Sequence, residues 1–173
     1  MNYSARSKLF TAVLAFTLPF VTSAAWPSPT TSSDGSTATT KPADPLDKYR
    51  VMKTLSATDL ADLLRLVGFE GQSLKVAWAI AMKESHGHAF SHNDNERTLD
   101  NSYGLFQINM YGSLGADRRE QFNLTSNDEL FDPVVNAKIA YYMSNKGNNF
   151  SAWKYPPGSN NPVVEDFISQ FPK

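Results

Sequence analysis

The sequence predicts a mainly helical α+β domain. Three stretches carry that expectation: a capped, periodic segment over 57–67, a long apolar segment ending at Ser85, and an Asp132-Pro133 start leading into Val134 to Met143. A length of 173 residues suits one domain plus additional segments, since domains run to about 100–200 residues. With 41% hydrophobic and 12% aromatic residues, most of the chain can bury a core.

The first 45 residues are set apart from that domain. Residues 1–25 place Arg6 and Lys8 before the mainly apolar run Leu9 to Val21 and end in Ser23, Ala24 and Ala25, the pattern of a signal peptide. The apolar run is 13 residues long and contains Pro19, short of the roughly 20 residues that a spanning helix needs. Cleavage near Ala24 or Ala25 is expected, with a retained anchor as the alternative, so the protein is expected to be secreted or periplasmic, with no stable membrane span. Residues 26–45 read as a disordered linker: from Pro27 to Pro45 there are nine Ser/Thr and four Pro, too little apolar surface to offset chain entropy. The folded unit is then 46–173.

Within that unit, Ser56 and Asp59 make a capping-box-like start. Leu60, Leu63, Leu64 and Val67 recur at helical spacing, and Gly68 supplies a stop. The run from Leu74 to Ser85 has hardly any polar face, which marks a helix at the centre of a domain. Asp132 is an N-cap with Pro133 at the first helical position. Shorter helices are expected around 115–122, 126–131 and 163–170. Tyr103 to Asn109, near Gly104 and Gly112, reads as extended or turn structure.

Composition removes several functions. There are no cysteines, which excludes disulfide frameworks, thiolate metal sites and a cysteine nucleophile. A net charge of −1 gives no general electrostatic grip on nucleic acid, and no nucleic-acid partner is expected. His86, His88 and His92 cluster within seven residues, but His-x-His in a loop lacks the helical i, i+4 geometry that orients zinc ligands, and no metal or other cofactor is expected.

Glu84 is the candidate for chemistry, with a carboxylate at a surface helix end as its other reading. It ends the most apolar helix, just before Gly87 and a polar loop. Desolvation near Trp78, the negative end of the helix dipole, and Asp94, Glu96 or Asp100 folding back would each favour its protonated form. A carboxyl of that kind suits a general acid that protonates a leaving glycosidic oxygen.

Glu84-Ser85, followed by Tyr103-Gly104-Leu105-Phe106-Gln107-Ile108-Asn109 and then by Asp132-Pro133 with Asn136, Ala137, Ala140 and Tyr141, resembles the lysozyme-like superfamily. The likeness is to soluble lytic transglycosylase-type (SLT) domains and related peptidoglycan hydrolases, over about residues 56–155. It implies a helical domain with a small extended segment lining a glycan cleft, and peptidoglycan glycan strands as partner. It further implies that Glu84 is the general acid and that Ser85 hydrogen-bonds near the cleaved linkage. Gln107 and Asn109 would bind sugar groups, and Tyr103 and Phe106 would shape the cleft. Tyr141 would hold the acid or the sugar, on a helix facing Glu84. Trp153, in the loop where the family carries aromatic residues, would stack on a sugar or close the core. The chain is expected to act as a monomer.

The likeness departs from animal-type lysozymes at one position. Those carry an Asp immediately before the Tyr-Gly pair, where this chain has Ser102. One acid suffices for lytic transglycosylation, in which the substrate's own N-acetyl group or C6 hydroxyl attacks and a 1,6-anhydro product forms. Asp100, two residues earlier, keeps a hydrolytic lysozyme open as the alternative. An inactive glycan-binding wall protein and a metal-dependent hydrolase using the histidines are the readings from other classes.

Overall fold

The computed structural model describes residues 43–173. The leader expected over 1–25, and all of the 26–45 linker except its last three residues, lie outside the described residues. The domain is mainly helical with one small sheet, as the sequence predicts.

Helix α1 (Asp47–Arg50) is a single turn that buries Tyr49, and its Arg50 reaches Asp132 at 2.6 Å. Helix α2 (Ala57–Val67) has the predicted limits: the Ser56 hydroxyl accepts from the Asp59 amide at 3.1 Å, and Gly68 ends the helix in the left-handed region. Helix α3 (Gly71–Ser85) begins three residues before the predicted Leu74, because the Ser73 hydroxyl accepts from the Glu70 amide at 3.3 Å and caps an earlier turn. It buries seven apolar residues, from Leu74 to Ala81, against α2 and the last helix. Burying one Val, Leu, Ile, Phe or Met side chain contributes about 1.5–3 kcal/mol, so this helix anchors the core. The Trp78 indole donates to the Ala57 carbonyl at 2.9 Å and ties α3 to the start of α2.

The sheet follows α3. Strands β1 (His92–Asn95), β2 (Asp100–Tyr103) and β3 (Ile108–Asn109) are antiparallel in that order, with His92 opposite Tyr103 and Ser102 opposite Asn109. The stretch 103–109 is thus extended at both ends with a tight turn between. Gly104 in that turn has φ +74°, and a Cβ there would lie 2.2 Å from both the Asn136 side-chain nitrogen and the Leu130 carbonyl oxygen. Only glycine fits on both counts.

Helix α4 (Gly112–Phe122) is longer than the predicted 115–122 and mostly exposed, while 126–131 forms a 3₁₀ helix over Asn127–Phe131 capped by Ser126. Helix α5 (Pro133–Met143) starts as predicted, with Asp132 accepting from the Val134 amide at 2.8 Å. Helix α6 (Pro162–Ser169) packs its apolar face on α3. Among the described residues no helix is long and apolar enough to cross a membrane.

Candidate active site

Asn136, on α5, organises the wall of the site from behind. It is fully buried, accepts from the Phe106 amide at 2.9 Å, and donates to the carbonyls of Tyr103 and Leu130, both at 2.9 Å. Three backbone groups of the β2–β3 turn and the neighbouring 3₁₀ helix are thereby satisfied by one side chain, as buried backbone groups require. The turn is closed by the Gly104 amide donating to the Ser91 carbonyl at 2.8 Å. Gln107 completes it in the left-handed region, φ 46°, with its Nε2 donating to the carbonyls of Ser91 and Gly104 at 3.0 Å each.

In front of this turn lies a cavity of about 630 Å³, within the roughly 300–1,000 Å³ usual for small-molecule sites. The end of α3 contributes Lys83 and Glu84. The sheet and its connections contribute Asn93, Thr98, Asp100, Ser102 and the Gln107–Asn109 stretch, while Arg118 of α4, Met143 of α5 and the 152–154 segment complete it. Ten of the fourteen lining residues are polar or charged, a lining that suits a hydroxyl-rich ligand better than an apolar one.

Glu84 is 23% exposed in its side chain, and Lys83 Nζ lies 2.6 Å from its Oε1. Its Oε2 makes no hydrogen bond among the described residues. Asp94 and Glu96, two of the carboxylates expected to fold back, do not line the cavity. Asp100 does. The Ser102 hydroxyl donates to its Oδ1 and the Asn93 amide donates to its Oδ2 at 2.6 Å.

Four of the eight residues singled out in the sequence line the cavity: Glu84, Gln107, Asn109 and Trp153. Asn109 also clamps its own turn, accepting from the amides of Asn101 and Tyr111 and donating to the Leu99 carbonyl. Trp153 is 7% exposed, with its indole donating to the Phe106 carbonyl at 2.8 Å. It both closes the core and presents an edge to the cavity.

The other four lie elsewhere. Ser85 is buried and donates to the Ala81 carbonyl at 3.0 Å, so its hydroxyl is spent on its own helix. Phe106 is fully buried against Trp153, with ring centroids 5.6 Å apart. Tyr103 packs on His92 at 4.4 Å and Phe131 at 5.3 Å. Tyr141 does not reach Glu84: its ring meets Phe69 edge-on at 4.9 Å and covers Gly68, at the junction of α2 and α3. Helix α5 thus meets the site through Met143 in its lining and through Asn136 behind it, which holds the 103–109 turn in place.

Lys83, Asn93, Thr98, Ser102, Arg118 and Lys154 were not foreseen as lining residues. The strand period could have given Ser102, because it shares a face with Asp100, whereas Arg118 stands on a helix without an apolar stripe and left no signal. The three histidines go to separate partners. His86 ends α3 beside Phe167, His88 bonds the Thr54 hydroxyl at 3.0 Å, and His92 bonds Asn101 at 2.9 Å. Among the described residues no group of three His, Asp or Glu side chains could hold a metal ion.

The chain matches the family described as "Lysozyme like domain" over residues 61–154, within a few residues of the stretch that the motifs marked out. It is 30% identical over 103 residues to a lysozyme of Bombyx mori, which covers 58% of this chain and 74% of that relative. No solved structure matches it. A buried helix with Glu84 in its last turn, the 103–109 turn beside the same cavity and the matched family agree, and the chain belongs to the lysozyme-like domain family.

Proposed function

We propose that this protein is an extracytoplasmic lytic transglycosylase that cuts the β-1,4 bond between N-acetylmuramic acid and N-acetylglucosamine in peptidoglycan. The carrying observation is that Glu84 shares one polar cavity with Gln107, Asn109 and Trp153 in a chain of the lysozyme-like family. Lys83 occupies Oε1, leaving Oε2 unengaged to deliver the acid's proton. Glu84 passes that proton to the leaving O4 as the C1–O4 bond breaks. The muramyl C6 hydroxyl then bonds to C1 and returns its proton to Glu84, giving the 1,6-anhydro end. Gln107 and Asn109 bind sugar polar groups in this scheme.

Asp100 supports one second reading, hydrolysis by a muramidase, because it lines the same cavity as Glu84 and is held by two donors. Mass spectrometry of digested peptidoglycan separates the two: 1,6-anhydro ends for the transglycosylase, reducing ends for the hydrolase. Glu84→Gln, folded as judged by circular dichroism, loses about 10²–10⁴-fold in rate if Glu84 is the acid. Asp100→Asn preserves the anhydro product in the first reading and removes hydrolysis in the second. Wild-type digests without either kind of new end would refute both.

The chain's organisation completes the proposal. A leader removed near Ala24 or Ala25 would release the 46–173 catalytic unit behind its Ser/Thr/Pro linker. The intact mass of the exported protein tests this, and an unprocessed Met1 refutes it.

A further inference from the structure

Arg118 is the feature of the cavity that the cleavage scheme leaves idle. It lies half-buried on α4 and lines the cavity, and one of its Nη atoms donates to the Asn109 carbonyl. Among the described residues it makes no ion pair, and its other nitrogens make no hydrogen bond. Those nitrogens are not sealed off either, because among the described residues the one buried polar side-chain atom without a partner is the Tyr49 hydroxyl. Burial pulls the guanidinium below its ordinary pKa, yet an arginine stays charged at any working pH. A half-desolvated cation with open donors and no counter-ion is costly unless an anion visits it.

The charge of the cavity points the same way. Lys83, Arg118 and Lys154 face Glu84 and Asp100, three cations against two carboxylates, in a chain whose net charge is −1. Lys83 is engaged with Glu84. Asp100 takes its hydrogen bonds from Ser102 and Asn93. Lys154 is exposed and Arg118 half-buried, so Arg118 is the desolvated cation left to meet a ligand, and its planar fork of N–H groups matches a carboxylate in two-point geometry.

Resting on the peptidoglycan reading above, we propose that Arg118 forms a carboxylate-binding subsite that recognises the acidic substituents of the muramyl residue. Two sources offer that chemistry: the carboxylates of the stem peptide, and the lactyl carboxylate of a muramyl residue from which the peptide has been removed. The subsite makes the enzyme select charged wall over uncharged glycan and sets the register of the strand against Glu84.

The test uses three soluble glycan preparations with one backbone. The first keeps its stem peptides, the second has been stripped of them by an amidase, and the third is stripped and then capped as methylamides. Binding is measured on Lys83→Met/Glu84→Gln, which removes the ion pair as a unit and leaves the cavity's net charge unchanged. That chain should bind one charged preparation about tenfold more tightly than the capped strands, less so at high salt. Adding Arg118→Gln should abolish the preference, and Arg118→Lys should keep part of it. Whichever preparation shows the preference identifies the source.

Equal binding of all three strands, or a preference that survives Arg118→Gln, overturns the subsite. Should Arg118→Gln fail to fold, the capped-strand comparison and Arg118→Lys decide the matter. A wild-type protein that cuts no wall while keeping the Arg118-dependent preference fails only the catalytic reading. Cleavage combined with charge-blind binding fails only the subsite.

Discussion

Replacing Asn136 by Ala tests whether one side chain holds the wall of the cavity. Asn136 makes three hydrogen bonds of 2.9 Å to backbone groups, and the Phe106 amide and the Tyr103 and Leu130 carbonyls lose these bonds together. A buried polar group left unpaired costs about 1–3 kcal/mol, so three give about 3 kcal/mol at the low end. That is a large part of the roughly 5–15 kcal/mol by which domains are stable. At about 4 °C per kcal/mol for a domain of this size, the melting temperature should fall by about 12 °C. Calorimetry against Asn160→Ala, an exposed position without a side-chain hydrogen bond, supplies the control. Cleavage measured well below the new melting point should also drop, because Gln107 and Asn109 hang from the turn that Asn136 fixes. A fall of less than about 3 °C would mean that water or backbone relaxation takes over all three bonds, and the claim for Asn136 would be wrong.

Two titratable groups predict the shape of stability against pH, read from denaturant midpoints. Glu129 is held below the ordinary carboxylate range, first by the Thr125 hydroxyl and then by the Thr125 and Ser126 amides. Its contribution is present above the unfolded pKa near 4.5 and is lost as pH falls below that value, so Glu129→Gln should flatten the acid limb. Tyr155 is pushed up to about 12 by burial and by its hydrogen bond to Glu165. Its contribution is present below pH 10 and is lost as pH rises from 10 toward 12, and Tyr155→Phe should remove that loss. Unchanged limbs in either variant would refute the corresponding assignment.

The helices were legible where their signals are local. The Ser56 cap, the leucine spacing and Gly68 gave both ends of α2, and Asp132-Pro133 gave the start of α5. The start of α3 was hidden because Gly71, Gln72 and Ser73 read as loop until Ser73 is seen to close on Glu70. Strand β1, His-Asn-Asp-Asn, has no alternation and exists by pairing with β2, an interaction that lies outside its own sequence. The site residues divide by direction of the side chain. Ser85 is one position from Glu84, about 100° around the helix, and faces inward. Tyr103 follows Ser102 on β2 and so takes the opposite face of the strand. Sequence order located the elements of the site but not which side chain on each element faces the cavity.

The same rule of faces bears on the reaction. A serine stands where animal-type lysozymes carry their second carboxylate, and two residues back along β2 the strand returns to the same face at Asp100. Ser102 is buried beneath the cavity rim and donates to Asp100, while Asn93 across the β1–β2 pair donates to the other oxygen. Each Asp100 oxygen accepts one hydrogen bond, which uses one of its lone pairs and orients the carboxylate. Glu84 is differently placed, with one oxygen against Lys83 and the other unengaged. Of the two carboxylates in the cavity, the unengaged oxygen is on the one that the single-acid route requires, and the pinned one is the one that it can do without.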